Sequence, residues 1–233
     1  MRLPRAVVVL SSGGLDSAVL IARMARRGLD VHPVFVKAGL IWERAELAAL
    51  RRYLRGLPPG LARRVRPPAV LSLPLGDLYG RHWSTTGKGT PAWSATDDAV
   101  YLPGRNLLLL AKAGVLAAMR GVPRLAIGPL KGNPFPDASP AFFRAMQKAL
   151  AEGLDFPLRI EAPLLSCDKE DLIRGSAGLP LGLTLSCSRP SGSRPCGRCA
   201  KCRERILALR AVAAVREDGP GAAPRRARVR ARG

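Results

Sequence analysis

The sequence predicts an α/β fold: a doubly wound, mainly parallel sheet with a small helical extension built on four cysteines near its C-terminal end. Three observations predict it. Short apolar runs alternate with amphipathic helical stretches at the spacing of βαβ units over most of the chain. The first of these runs ends in a glycine-rich turn that leads straight into a helix. Four of the five cysteines crowd into residues 187–202, which is a different kind of sequence from everything before it.

Taken in order, Ala6–Leu10 is a short run rich in β-branched residues, the signature of a strand buried on both faces. Helical patterning follows from Ser17 to about Gly28, a plausible stop. Val31–Val36 reads as a second strand, Glu43–Arg55 as a helix with Leu47, Leu50 and Leu54 on one face, and Ala69–Leu73 as a third strand. Gly76–Tyr101 reads as irregular; a loop of that length inside a domain is functional or disordered, and Trp83 and Trp93 argue for the former. Asn106–Arg120 is a strongly apolar helix and Arg124–Ile127 a strand; Pro140–Gly153 is a helix, Leu158–Ile160 a strand and Lys169–Gly175 a helix. From Leu183 a cysteine-rich loop leads into a last helix, Arg203–Val215.

The chain has 233 residues, enough for one large domain with an appendage, and its core needs no disulfide staples. No stretch reaches the roughly 20 apolar residues of a membrane helix: Leu107–Met119 is short and carries Lys112, and Ala6–Leu10 lacks the features of a secretory leader. A cytoplasmic protein is expected. The net charge of +21 raises the prior for a polyanionic partner. Two plainer readings compete with it: a GC-rich codon bias, and the local positive charge that a phosphate-handling site needs. Residues 219–233, with Arg225, Arg226, Arg228, Arg230 and Arg232 and no acid, read as a disordered basic tail.

The chemistry starts at Ser12-Gly13-Gly14-Leu15-Asp16-Ser17, directly after the first strand, where ligands bind in open α/β sheets. Glycines let backbone approach an oxyanion, and the next helix offers free N–H groups and a favourable dipole. Ser12 and Ser17 add hydroxyl donors, whereas Asp16 would repel phosphate and suits a Mg²⁺ ion instead. The string is neither a Walker loop nor a G-x-G-x-x-G fingerprint. The bland alternative is a glycine-rich turn that binds nothing. The second site is Cys187-x8-Cys196-x2-Cys199-x2-Cys202. Four thiolates suit tetrahedral Zn²⁺, and a complete set leaves no open position, so the expected ion is structural. An iron–sulfur cluster is the runner-up. His32 and His82 lie far upstream, and Cys167 reads as a small core residue.

The S-G-G-x-D-S string resembles the phosphate loop of the ATP pyrophosphatase (PP-loop) superfamily, which splits ATP to AMP and pyrophosphate while adenylating a substrate. Paired with the cysteine set, it resembles the 7-cyano-7-deazaguanine synthase family. The segment Thr184-Leu185-Ser186-Cys187 followed by Cys196 to Arg205 is similar to that family's C-terminal signature. Tyr101-Leu102-Pro103-Gly104-Arg105-Asn106 resembles its F-V-P-x-R-N motif, Phe135-Pro136-Asp137 its Y-P-D, and Ala162-Pro163 with Asp168-Lys169-Glu170 its T-P…K-x-E stretch. The likeness runs from about residue 6 to 210.

The resemblance implies an adenine nucleotide alpha hydrolase-like, Rossmann-like domain over residues 1–182, a zinc-binding subdomain over 183–216 and the tail over 217–233. It implies ATP, Mg²⁺ and structural zinc as cofactors, a small-molecule deazaguanine carboxylate with ammonia or another amine as substrates, and a homodimer. Leu10, Ser11, Ser12, Gly13, Gly14, Leu15, Asp16, Ser17 and Arg105 would hold ATP, with Asp16, Arg105 and Lys169 in catalytic roles. A helix-start salt bridge is the plain alternative for Arg105, and a solvated helix-terminal lysine for Lys169. Asn106, Phe135, Asp137 and Trp83 would face the base; Asp137 as a turn residue, and Phe135 or Trp83 as core, are the alternatives.

Three departures fall where substrate or ammonia is handled. Ala138-Ser139 replaces a Cys-Arg pair, Gly128–Asn133 is short and lacks an Asp, and Lys37–Glu43 replaces a Tyr-Gly-Gln segment. They motivate two further readings: a ligase that stops at an amide with a larger amine, and an RNA-binding or tRNA-modifying protein using the basic tail.

Overall fold

The computed structural model describes residues 5–217. Its sheet has five strands, β1 (Ala6–Leu10), β2 (Asp30–Lys37), β3 (Ala69–Ser72), β4 (Arg124–Ala126) and β5 (Arg159–Glu161), in the order β3-β2-β1-β4-β5. Each pairing is parallel. The connections contain helices α1 (Leu15–Arg26), α2 (Glu43–Arg55), α3 (Pro59–Ala62), α4 (Gly76–Tyr79), α5 (Trp83–Thr86), α6 (Arg105–Met119), α7 (Pro140–Gly153) and α8 (Lys169–Arg174), and α9 (Ala200–Glu217) closes the described chain. Among the described residues no helix is long and apolar enough to cross a membrane.

β1 is central because its apolar residues satisfy two cores at once. Successive strand side chains point to opposite faces. Val7 and Val9 therefore join Leu20 and Met24 of α1, Leu50 and Tyr53 of α2, and Ile173 of α8 on one face. Val8 and Leu10 join Leu110 and Ala113 of α6 and Phe143 of α7 on the other. Full burial of such a side chain stabilises the fold by roughly 1.5–3 kcal/mol. The Tyr53 hydroxyl donates to the Ala18 carbonyl at 2.8 Å, locking α2 onto α1, and burial raises its pKa.

The strand order reverses at β1, with β2 and β3 on one side and β4 and β5 on the other. The carboxyl ends of β1 and β4 thus flank a topological switch point, the crevice where parallel sheets bind ligands.

The segment 76–101 differs from its sequence reading. It contains α4, α5 and a 3₁₀ turn at Asp97–Val100, and it is held down rather than free. Trp83 stacks on Trp42 with centroids 5.5 Å apart, and the Arg203 guanidinium donates to the Trp93 carbonyl at 2.6 Å and the Ala95 carbonyl at 3.2 Å. The last helix starts three residues earlier than the sequence predicts, because Cys199 and Ala200 enter its first turn. The basic tail expected at 219–233 lies outside the described residues.

Candidate active site

The loop after β1 is built so that its side chains order its backbone and leave the first-turn N–H groups of α1 uncapped. Ser17 Oγ accepts from the Ser12 N–H at 3.2 Å and donates to the Gly14 carbonyl at 3.2 Å, while Ser12 Oγ accepts from the Gly14 N–H at 3.2 Å. Gly13 has φ +83°, and a Cβ there would stand 2.3 Å from the Glu46 carbonyl oxygen of α2. Only glycine fits that backbone and that contact. Gly14 caps α1 without any side-chain hydrogen bond, so the first-turn N–H groups of α1 are left for an anion.

These residues open on a cleft of about 280 Å³ at the switch point. Leu10, Ser11, Ser12, Asp16 and Ser17 line it from β1 and α1, and Arg105 and Asn106 from the start of α6. Phe135 and Asp137 come from the segment after β4. Gly13, Gly14 and Leu15 underlie the loop; the Leu15 side chain is buried in the α1 core. The Arg105 Nε is buried with no hydrogen-bond partner among the described residues, a cationic donor aimed at nothing the protein supplies.

Asp137 is 8% exposed and is spent on Asn106: one carboxylate oxygen accepts the Asn106 backbone N–H at 2.8 Å, and the Asn106 amide donates to the Asp137 carbonyl at 3.1 Å. This pair fixes the first turn of α6, and with it Arg105. Phe135 stacks on Tyr101 with centroids 4.8 Å apart, giving the cleft an aromatic wall. Trp83 lines neither this cleft nor its neighbour; it packs in a separate cluster with Trp42 and Leu75.

Beyond Asp16 and Phe135 the cleft continues into a second chamber of about 530 Å³, lined by the 128–135 loop, the start of α8 and the exposed side of α9. Lys169 stands at their junction and bonds Asp16 Oδ1 at 2.8 Å, which leaves the other carboxylate oxygen for a hard cation. Ser139, where the family pattern has Arg, caps α7 by accepting from the Phe142 N–H at 3.1 Å.

Three charged residues of the first cleft were not assigned a role from the sequence. Glu43 and Glu46 sit three apart in the first turn of α2, where acids read as ordinary complements to the helix dipole. Lys201 lies between Cys199 and Cys202, where it reads as a spacer, yet it lines both chambers and pairs with Glu204 at 2.9 Å. Burial pushes the Glu46 carboxyl up to about 8; Arg105 and Lys201 oppose the rise and Glu43 adds to it.

The four Sγ atoms of Cys187, Cys196, Cys199 and Cys202 lie within 4.8 Å of one another, and those of Cys196 and Cys202 are 3.9 Å apart. A tetrahedron with Zn–S bonds of about 2.3 Å has edges of about 3.8 Å, so the set fits zinc. Backbone N–H groups of Arg189 and Cys196 donate to Cys187 Sγ at 3.4 and 3.2 Å, and that of Ser188 to Cys199 Sγ at 3.4 Å, as thiolate ligands require. The hydrogen bond shared by the two sulfurs lowers the pKa of Cys199 and raises that of Cys187. The knot is tied to the site on two sides: the Leu185 N–H donates to the Gly13 carbonyl at 2.9 Å, and the Ala200 N–H to the Pro91 carbonyl at 3.3 Å. Cys167 stands apart, partly buried and accepting from Arg23 at 3.2 Å.

A parallel, doubly wound sheet with an S-G-G-x-D-S loop at the carboxyl end of its central strand defines a PP-loop nucleotide-binding fold. The family model described as "Queuosine biosynthesis protein QueC" matches residues 5–213, and the chain belongs to that family. A 7-cyano-7-deazaguanine synthase of Azoarcus sp. (strain BH72) is 35% identical over 222 residues, covering 87% of this chain and 91% of the relative. Proteins of the same name from Anaeromyxobacter dehalogenans (strain 2CP-C) and Frankia casuarinae are 34% and 35% identical, covering 85% and 86% of this chain and 88% of each relative.

Proposed function

We propose that this chain is an AMP-forming, ATP-dependent C–N ligase that converts a 7-carboxy-7-deazaguanine-type carboxylate, with ammonia, through an amide to the nitrile 7-cyano-7-deazaguanine. The observation that carries the reading is one cleft in which the Ser12–Ser17 loop, the unpartnered Arg105 Nε and the Tyr101–Phe135 aromatic wall face one another. The names of the relatives support the product.

The substrate carboxylate attacks the α-phosphorus of ATP; a P–O bond forms and pyrophosphate leaves. Ammonia displaces AMP to give the amide, a second ATP activates the amide oxygen, and loss of AMP leaves the nitrile. The α1 N–H groups and the Ser12 hydroxyl receive phosphate oxygens, Ser17 orders the loop that presents them, and Arg105 meets charge developing at the α-phosphorus. Asp16 would hold Mg²⁺, which neutralises phosphate charge when bound. The four cysteines would hold zinc, whose part is structural. Phe135 and Tyr101 offer a stacking surface for a planar base, while Asp137 and Asn106 position Arg105.

A second reading is favoured by the 530 Å³ chamber beside the cleft, which exceeds what ammonia needs. There the reaction stops at an amide formed with a larger amine. Incubation with ATP, Mg²⁺, 7-carboxy-7-deazaguanine and ammonium, followed by mass spectrometry, separates the two. Nitrile and AMP support the first reading; AMP and a substituted amide only with a larger amine support the second; absence of AMP in both defeats adenylation altogether.

A further inference from the structure

Four carboxylates line the cleft, and three are engaged. Asp16 is bonded to Lys169 at 2.8 Å. Glu43 accepts from the N–H groups of Ala38 and Gly39, closing the turn after β2. Asp137 holds the N–H of Asn106 at 2.8 Å. Glu46 is the fourth, and among the described residues its carboxylate accepts no hydrogen bond and joins no ion pair.

Its position is nonetheless fixed. The Glu46 carbonyl lies against Gly13 so closely that a Cβ there would be 2.3 Å away, so the turn of α2 bearing Glu46 and the phosphate loop cannot shift independently. The groups that act on the carboxylate are Arg105 from α6, Lys201 from α9 and Glu43 from its own helix. It shares the nucleotide cleft with Arg105, assigned to the adenylate, and with Lys201, which also lines the second chamber. A partly buried carboxylate that accepts no hydrogen bond among the described residues, in one cleft with a lysine that also lines the acceptor chamber, is placed to take a proton from an incoming amine.

We propose that Glu46 is the proton acceptor for that amine, an inference that rests on the adenylating reading above and holds for ammonia or a larger amine. At neutral pH an alkyl amine or ammonia is almost wholly protonated and has no lone pair to attack with. One N–H proton passes to a Glu46 oxygen. The freed lone pair forms the C–N bond with the acyl carbon, the C–O bond to the phosphate breaks, and AMP leaves with that electron pair. The nitrogen then loses a second proton to solvent as the amide forms. Burial, opposed by Arg105 and Lys201, raises the carboxyl to about 8, so the ionised form that accepts the proton gains population as pH rises toward 8, and the ammonium reaction should rise with it.

Glu46→Gln keeps the shape and removes the base. Three rates are measured with the carboxylate substrate: pyrophosphate exchange into ATP, amide formation from ammonium, and acyl transfer to hydroxylamine, which is neutral at pH 7. The expected result is persistent exchange, an ammonium reaction lowered about 10²-fold, hydroxylamine transfer near the wild-type rate, and an ammonium rate that levels off above about pH 8 in the wild type but keeps climbing in the variant. Equal losses in all three rates would make Glu46 a positioning or metal-holding group and overturn the proposal, as would an unchanged ammonium rate. No exchange in the wild-type chain would overturn the adenylating reading, and the proposal with it.

Discussion

Replacing Gly13 by alanine tests whether the loop geometry governs both fold and nucleotide site. The backbone there has φ +83°, where an L side chain costs roughly 1–2 kcal/mol. The added Cβ would also lie 2.3 Å from the Glu46 carbonyl oxygen and 3.0 Å from the Leu50 nitrogen, both of them backbone atoms of α2. Backbone cannot rotate away as a side-chain tip can, so loop and helix must separate, a strain of the kind that typically costs about 1–3 kcal/mol. The sum, roughly 2–5 kcal/mol, is a large share of a typical stability of about 5–15 kcal/mol. In a chain of this size it corresponds to a melting-point loss on the order of 10 °C. Because the displaced segment carries Ser12 and the start of α1, the KM for ATP should rise along with the loss of stability. Urea unfolding and ATP kinetics on Gly13→Ala measure both, with Gly153→Ala as control, since a Cβ at Gly153 meets nothing within 4 Å. If Gly13→Ala unfolds within about 0.5 kcal/mol of the wild type, the usual range for a surface substitution, the packing argument is wrong.

Three further outcomes follow from the site. Arg105→Ala should slow pyrophosphate exchange about 10²–10³-fold, the usual cost of losing one preorganised donor. Arg105→Lys should recover it only partly, since an ammonium lacks the planar fork; full activity in either variant would remove Arg105 from the chemistry. Cys199→Ser should abolish stoichiometric zinc by elemental analysis and lower the melting point. A metal-free wild-type protein of equal stability would refute a structural ion. The Glu46 carboxyl, raised from 4.5 to about 8, keeps its proton in the folded state over a range where the unfolded chain has released it. Wild-type stability should therefore fall relative to Glu46→Gln as pH rises from about 4.5 to 8, and the gap should stay constant above that. Parallel melting curves for the two proteins across that window would show that Glu46 titrates normally.

The parts of this protein legible in the sequence are those governed by local rules. A run such as Val7-Val8-Val9 has to be buried on both faces wherever it lies, and a Gly-Gly-x-Asp-Ser turn after it has to meet a helix N-terminus. Four cysteines at this density also mark a set that could hold a metal ion, and their Sγ atoms do come within 4.8 Å of one another. Pairings across the fold were not legible. Nothing about Asp137 says that it will hold Asn106, thirty-one positions earlier, and Trp83 looks the same in sequence whether it stacks on a ligand or on Trp42. Glu43 and Glu46 are both acids in the first turn of a helix, and only the sheet order, which carries α2 to the edge of the β1 crevice, makes one a loop clasp and the other a cleft carboxylate.

The cysteine knot is better understood as part of that crevice than as an appendage. Its leading strand of sequence gives the Leu185 N–H to Gly13, so the residue whose φ shapes the phosphate loop is held from the knot as well as from α2. Its trailing helix gives the Ala200 N–H to Pro91 and the Arg203 guanidinium to Trp93 and Ala95, anchoring the segment that ends at Tyr101 in the aromatic wall. Lys201, fixed between two cysteines, is thereby delivered to both chambers. The segment that carries the four sulfurs thus joins the loop, the wall and a lysine. Loss of the zinc proposed for this set should consequently be felt first in the nucleotide cleft, through Gly13 and Lys201, before the sheet itself gives way.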